Sequence, residues 1–240
     1  MTSDWVKFYD FRHSIIYVNE RHRDVHYARI AQDLAPYIPS STARVLDYGS
    51  GEALHADDLA ARCGSLALAE AAPNVRAILK QRFAGNDKIA VLTPEEVAAL
   101  PDQSFDLIVM HSVAQYLTGA ELDGLLATFH RLLKPDGLFV LGDIVQPHLA
   151  SVHAALALLR FAAQNGFLLA AIRGLIRIVV SDYLKLSQKA GLSHYTESEA
   201  LQRLRAAGFD PTRAPRNIGH NQQRMTFTAR RTQSSPASSS

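Results

Sequence analysis

The chain has 240 residues, with 48% apolar and 20% charged side chains, one cysteine and a net charge of +2. That composition suits a single α/β domain with a full core, and excludes a disordered or disulfide-stapled chain and a multi-cysteine zinc site. The charge is uneven: residues 147–240 hold twelve Lys/Arg and four acids, a net of +8, which leaves residues 1–146 at −6. A basic half of this kind faces solvent or something anionic.

The amino terminus, Met1-Thr2-Ser3-Asp4-Trp5, has neither a basic nor an apolar signal region, and a cytoplasmic protein is expected. Residues 4–38 are rich in aromatics and histidine. Val25, Ala28, Ile30, Ala31 and Leu34 give residues 19–37 the spacing of an amphipathic helix, stopped by Pro36 and Pro39. Residues 1–40 are expected to fold over a ligand as a helical lid. His13, His22 and His26 lack an acid or cysteine to complete a ligand set, so no metal is expected.

Arg44-Val45-Leu46-Asp47-Tyr48-Gly49-Ser50-Gly51-Glu52-Ala53 reads as a buried strand, a tight glycine turn and the opening of a helix over 54–62. Glycine permits φ > 0 and a close approach of backbone to a ligand. The dinucleotide pattern G-x-G-x-x-G/A fails, because its third small residue would fall on Leu54. At this point the turn fits either a nucleotide-like ligand or a plain strand-to-helix connection.

Further along, 65–69 reads as a strand ending at Glu70, 74–83 as a helix, 88–92 as a strand, 105–110 as a buried strand and 121–133 as a helix. Lys134-Pro135-Asp136-Gly137 should stop that helix, with Gly137 taking a φ > 0 turn into a fifth strand. Two apolar runs, 152–161 and 167–180, break at Gln164-Asn165-Gly166 and read as two helices too short to span a bilayer. A capped helix over 196–207 follows, then extended segments at 211–218 and 224–230, and a Ser/Pro-rich tail over 232–240 that should be disordered.

Four of these features, in this order, resemble the class I S-adenosylmethionine-dependent methyltransferases: Val45-Leu46-Asp47-Tyr48-Gly49-Ser50-Gly51, with Ala53 in place of the usual last glycine; Leu100-Pro101 leading to Phe105-Asp106; Leu133-Lys134-Pro135-Asp136-Gly137; and Gly208-Phe209. The resemblance covers residues 44–145 and 194–231. It implies a Rossmann-like α/β three-layer sandwich with a seven-stranded, mostly parallel sheet, an antiparallel last strand and a helical insert after strand 5. The corresponding domains are the 1–40 lid and a 41–231 cofactor domain containing the 146–191 insert as a substrate lid.

The resemblance further implies S-adenosylmethionine as cofactor. Gly49, Ser50 and Gly51 would give close backbone approach, Asp47 would take its amino-acid end, and Glu70, 19 residues beyond Gly51, its ribose hydroxyls. Glu96 and Val97 would lie near the adenine, and Met110 at the cofactor edge of the fourth strand. His111 is the expected base or acceptor-orienting group, with a structural histidine as its alternative, and Tyr17, Tyr116, His194 and Tyr195 are expected in the acceptor pocket. His220 is expected in a surface or turn role.

Met110-His111-Ser112-Val113 lacks the proline pair of enzymes that methylate exocyclic amines of DNA bases, and Cys63 is misplaced for C5-pyrimidine chemistry, so DNA is not expected as a substrate. A small, lipophilic acceptor is expected, with the apolar insert and Arg160, Arg173 and Arg177 suited to peripheral contact with an anionic membrane surface. The alternatives are a non-catalytic subunit that uses the insert as an interface, in a homodimer for example, and an RNA methyltransferase using the basic face.

Overall fold

The computed structural model describes residues 10, 17–147, 151–180 and 192–232. Residues 233–240 of the expected tail, 181–191 of the expected insert and much of the aromatic amino-terminal stretch lie outside the described residues, as does His13. Seven strands, β1 (Arg44–Tyr48), β2 (Ser65–Ala69), β3 (Ile89–Leu92), β4 (Phe105–His111), β5 (Leu133–Ile144), β6 (Phe209–Arg213) and β7 (Met225–Arg231), form one sheet in the order β3-β2-β1-β4-β5-β7-β6. β1 to β5 are parallel, and β7 runs antiparallel to β5 and β6. This is the expected Rossmann-like arrangement. It places the reversal of strand order between β1 and β4, where open α/β sheets receive ligands.

Side-chain alternation along the strands builds two cores, one on each face. Leu107, Val109, Val45 and Val140 point to the side covered by α1 (Glu20–Leu34), α2 (Ala56–Ala60) and α3 (Pro73–Arg82). Ile108, Met110, Leu46 and Phe139 point to the side covered by α4 (Pro94–Ala98), α5 (Gly119–Leu132) and α8 (Glu197–Ala206). Thr118 with Glu121, and Thr196 with Glu199, form capping boxes that fix the starts of α5 and α8.

The insert is a hairpin of α6 (Ser151–Asn165) and α7 (Leu168–Val180), turned at Gly166, whose φ of +77° suits glycine. Phe161, Ala162, Phe167 and Ala171 form a third small core, against which Val18 and Val25 pack.

Local details differ from the sequence reading. The helix after the glycine turn covers only Ala56–Ala60. β5 runs straight through Lys134–Gly137, with an irregular register against β4, and Gly137 is not in the left-handed region. Its lack of a Cβ matters instead for packing, since a Cβ there would meet Leu133 Cγ at 2.7 Å. The first closing strand ends at Arg213, and residues 214–224 loop back toward the sheet's ligand edge.

Candidate active site

A cavity of about 530 Å³ opens at the carboxyl ends of β1 and β4, well within the range of small-molecule sites. Its polar end is built by the glycine turn. Gly49, Gly51 and Ala53 have φ of +78°, +58° and +44°, so the chain visits the left-handed region at every second residue. Glycine at 49 is also required sterically, because a Cβ would lie 2.3 Å from Val113 Cγ2. Ala53 is a strained departure, since an L side chain at such φ costs about 1–2 kcal/mol.

Glu70 holds this turn. Its carboxylate accepts from Gly51 N–H (2.9 Å) through one oxygen and from Ala72 N–H (2.8 Å) through the other. Burial raises its pKa against the opposing effect of those bonds. Each oxygen keeps a lone pair for a further donor. Asp47 is the opposite case: among the described residues its carboxylate has no hydrogen-bond partner, and burial, then Glu70, pushes its pKa up to about 7. A carboxylate left in that state at a cavity wall is a receptor for a cationic or hydrogen-bonding group.

From α1, the Tyr27 hydroxyl accepts from Glu52 N–H (2.9 Å), and Arg23 lies 3.5 Å from the Glu52 carboxylate, tying the amino-terminal helix to the glycine turn. Tyr17, bonded to Tyr27, has its pKa raised to about 12 by burial.

The other end of the cavity is aromatic and imidazole-rich. His22, His26 and His220 have ring centroids 6.0–6.4 Å apart, with His22 stacked on Phe167 and His220 on Phe161. Burial lowers all three pKa values, His22 to about 4 and His26 to about 3. Among the described residues no group of three or more His, Cys, Asp or Glu side chains is placed to hold a metal ion. His111 lines the same space. Its pKa is lowered chiefly by burial, and its Nδ1 is buried without a partner beside Gly142.

One constellation escaped the sequence reading. Ser112 and Asp143, at the ends of neighbouring strands, both adopt left-handed φ, +58° and +64°. Ser112 Oγ donates to Asp143 Oδ2 (2.5 Å), Asn217 Nδ2 donates to Oδ1 (3.2 Å), and Arg224 pairs with the same carboxylate. Burial alone would raise the Asp143 carboxyl, but Arg224, His111, Ser112 and Asn217 hold it below its usual range. The register shift between Leu141 and Ile144 turns Asp143 toward the cavity. Gly142-Asp143 at a strand end was the only local signal.

The cavity therefore brings together Tyr17, Asp47, Gly49, Ser50, Gly51, Glu70, His111 and Tyr116. It does not include five other expected residues. Glu96 uses its carboxylate to cap α4 through Thr93, and Pro94 forms the wall there. Val97 and Met110 point into the sheet core. Tyr195 packs in that core under Arg203, and His194 is exposed. His220, expected in a surface or turn role, lines the cavity instead.

The sequence pattern of the methyltransferase domain matches residues 46–141, the span from β1 to β5 that carries this turn and cavity edge. Over those residues the chain is similar to methyltransferase domains. Solved structures agree on the fold. A chain from the complex between the Haloferax volcanii Trm112 methyltransferase activator and a methyltransferase superposes with a TM-score of 0.59 at 13% identity, covering 95% of this chain and 98% of that one. DhpI in complex with S-adenosylhomocysteine gives 0.58 at 12%, covering 95% and 96%. The Burkholderia thailandensis 1,6-didemethyltoxoflavin N1-methyltransferase, with its substrate and S-adenosylhomocysteine bound, gives 0.55 at 20%, covering 93% and 88%. A comparison with curated proteins finds no match.

The chemistry of the glycine turn fits a ligand that carries an ammonium and vicinal hydroxyls, as S-adenosylmethionine does. The unpartnered Asp47 suits an ammonium, Glu70 has lone pairs to spare for hydroxyls, and Gly49 has no room for a side chain.

Proposed function

We propose that the protein moves the methyl group of S-adenosylmethionine onto an O, N or C atom of a small, lipophilic molecule in the cytoplasm. The observation that carries this reading is that the glycine turn, Asp47 and Glu70 share one cavity with His111 and an aromatic, apolar chamber. The cofactor supplies an electrophilic methyl carbon on a sulfonium. The protein's residues bind, orient and exclude water, which is most of what a displacement of this kind requires.

In this reading Asp47 holds the cofactor's ammonium, Glu70 its ribose hydroxyls, and the Gly49–Gly51 backbone lies against it. Pro94 and Ala71 wall the adenine end. Leu158, Leu192, Ile218, Tyr116 and Tyr17 surround an apolar acceptor. His111, neutral at pH 7 because burial lowers its pKa, takes a proton from an acceptor O–H or N–H where one must leave. The room in the cavity beyond the glycine turn speaks against a non-catalytic subunit, and its apolar lining against an RNA substrate. The two structural neighbours with S-adenosylhomocysteine bound share the fold that frames this reading.

Calorimetric titration with S-adenosylhomocysteine tests it. Wild-type protein binds, and Asp47→Ala and Glu70→Ala each bind at least tenfold more weakly, as expected for losing a charge-assisted hydrogen bond. Equal affinity in all three proteins refutes the site.

A further inference from the structure

The α6–α7 hairpin has two contrasting sides. Inward, Ala154 and Leu158 line the cavity, and Phe161, Phe167 and Ala171 form the small core beside α1. Gly174 lets α7 close on Val18, where a Cβ would lie 2.5 Å from Val18 Cγ1. Outward, six of the seven exposed large apolar side chains among the described residues belong to this one hairpin: Val152, Leu156, Leu168, Leu169, Ile172 and Ile176. Leu169 is 72% exposed, Val152 66% and Ile176 59%. A soluble surface rarely concentrates apolar side chains in this way unless something covers them.

The outward residues are ordered. At 3.6 residues per turn, Leu168, Ile172, Ile176 and Leu169 fall within an arc of about 100° on α7, with Arg173 just beyond its edge. On α6, Val152, Leu156 and Arg160 recur every fourth residue, on the side away from Leu158. Between positions 147 and 180 the sequence contains Arg160, Arg173 and Arg177 and no aspartate or glutamate.

An apolar arc edged only by arginine is the pattern of a helix lying in a membrane interface. A second copy of the chain fits less well. A two-fold contact through this hairpin would bring its arginines to an apolar seam with no acid on the hairpin to pair with them. Spanning is excluded for these helices: α7 has 13 residues, about 20 Å of helix against the roughly 30 Å of a bilayer core, and no described helix is long and apolar enough to cross.

We propose that the α6–α7 hairpin docks flat on an anionic lipid bilayer, with its outward leucine, isoleucine and valine side chains at the headgroup–acyl boundary and Arg160 and Arg173 on lipid phosphates. The docking stands on the hairpin alone. One consequence rests on the methyl-transfer reading: the cavity's Leu158 roof then sits where a lipophilic acceptor dissolves.

The test is co-sedimentation of the full chain with phosphatidylcholine vesicles, with and without phosphatidylglycerol. The expected result is pelleting with the anionic vesicles only, reversed by added salt. Arg173→Ala should bind about fivefold more weakly, and the pair Leu169→Asp, Ile172→Asp should not pellet. These exposed positions are outside the cavity, so S-adenosylhomocysteine affinity and melting temperature stay at wild-type values. A loss of cofactor binding in the wild type would sink the methyl-transfer reading and leave the docking standing. Equal pelleting with both vesicle types, or none with either, overturns the proposal. So does a concentration-dependent dimer, seen by sedimentation velocity, that Leu169→Asp abolishes.

Discussion

Replacing Asp47 by asparagine should stabilise the cofactor-free protein while damaging cofactor binding. Burial and Glu70 raise the Asp47 pKa from 3.8 to about 7. A carboxyl whose folded pKa lies above its unfolded value adds stability that is complete below 3.8 and is lost as pH rises through about 7. Wild-type stability should therefore fall between pH 4 and pH 7 on this group's account. The full difference corresponds to about 4 kcal/mol at pH 8 and shrinks to about 1 kcal/mol near pH 4.5. Part of the Asp47 surface reaches the water of the cavity, so about 4 kcal/mol is a ceiling and roughly half of it is the working expectation. Asparagine keeps the shape and removes the titration. Urea unfolding of both proteins across this range should show the Asp47→Asn variant more stable at pH 8 and the two curves converging toward pH 4.5. Calorimetry should show S-adenosylhomocysteine binding weakened at least tenfold in the same variant. A stability gap of constant size across pH, or a variant less stable at pH 8, refutes the account of Asp47 as an uncompensated half-buried carboxylate.

Ala53→Gly should raise stability by roughly 0.5–1 kcal/mol, because it relieves the left-handed strain at φ +44° and gives back only part of that through the freer unfolded chain. A thermal shift of the opposite sign would show that the alanine methyl packing outweighs the strain. Asp143→Ala should cost about 3 kcal/mol by leaving Arg224 and Ser112 without their shared acceptor, whereas Asp143→Asn should cost distinctly less, since asparagine tolerates φ +64° and can still accept from Ser112. Equal losses for the two variants in urea melts would assign the effect to something other than the hydrogen-bond network.

Whatever depended on local chemistry was legible in the chain itself. Short unbroken apolar runs marked β1, β2 and β4, Gly166 marked the hairpin turn, and Thr196 with Glu199 marked the start of α8, because buried strands, positive φ and caps each involve residues within a few positions of one another. The polar end of the site was equally readable, since Asp47, the two glycines and Glu70 sit at the ends of two adjacent strands. The far end of the cavity was not. Asp143, Asn217, His220 and Arg224 reach the cavity only because β5 shifts register beside β7 and residues 214–224 fold back over the sheet edge. No local spacing records a contact made across 74 residues, such as that between Asp143 and Asn217. The same limit misplaced Met110 and Val97: alternation says that neighbouring side chains on β4 take opposite faces but not which face Met110 takes, and only the docking of α4 and α5 on the sheet turned Met110 and, from α4, Val97 into the core.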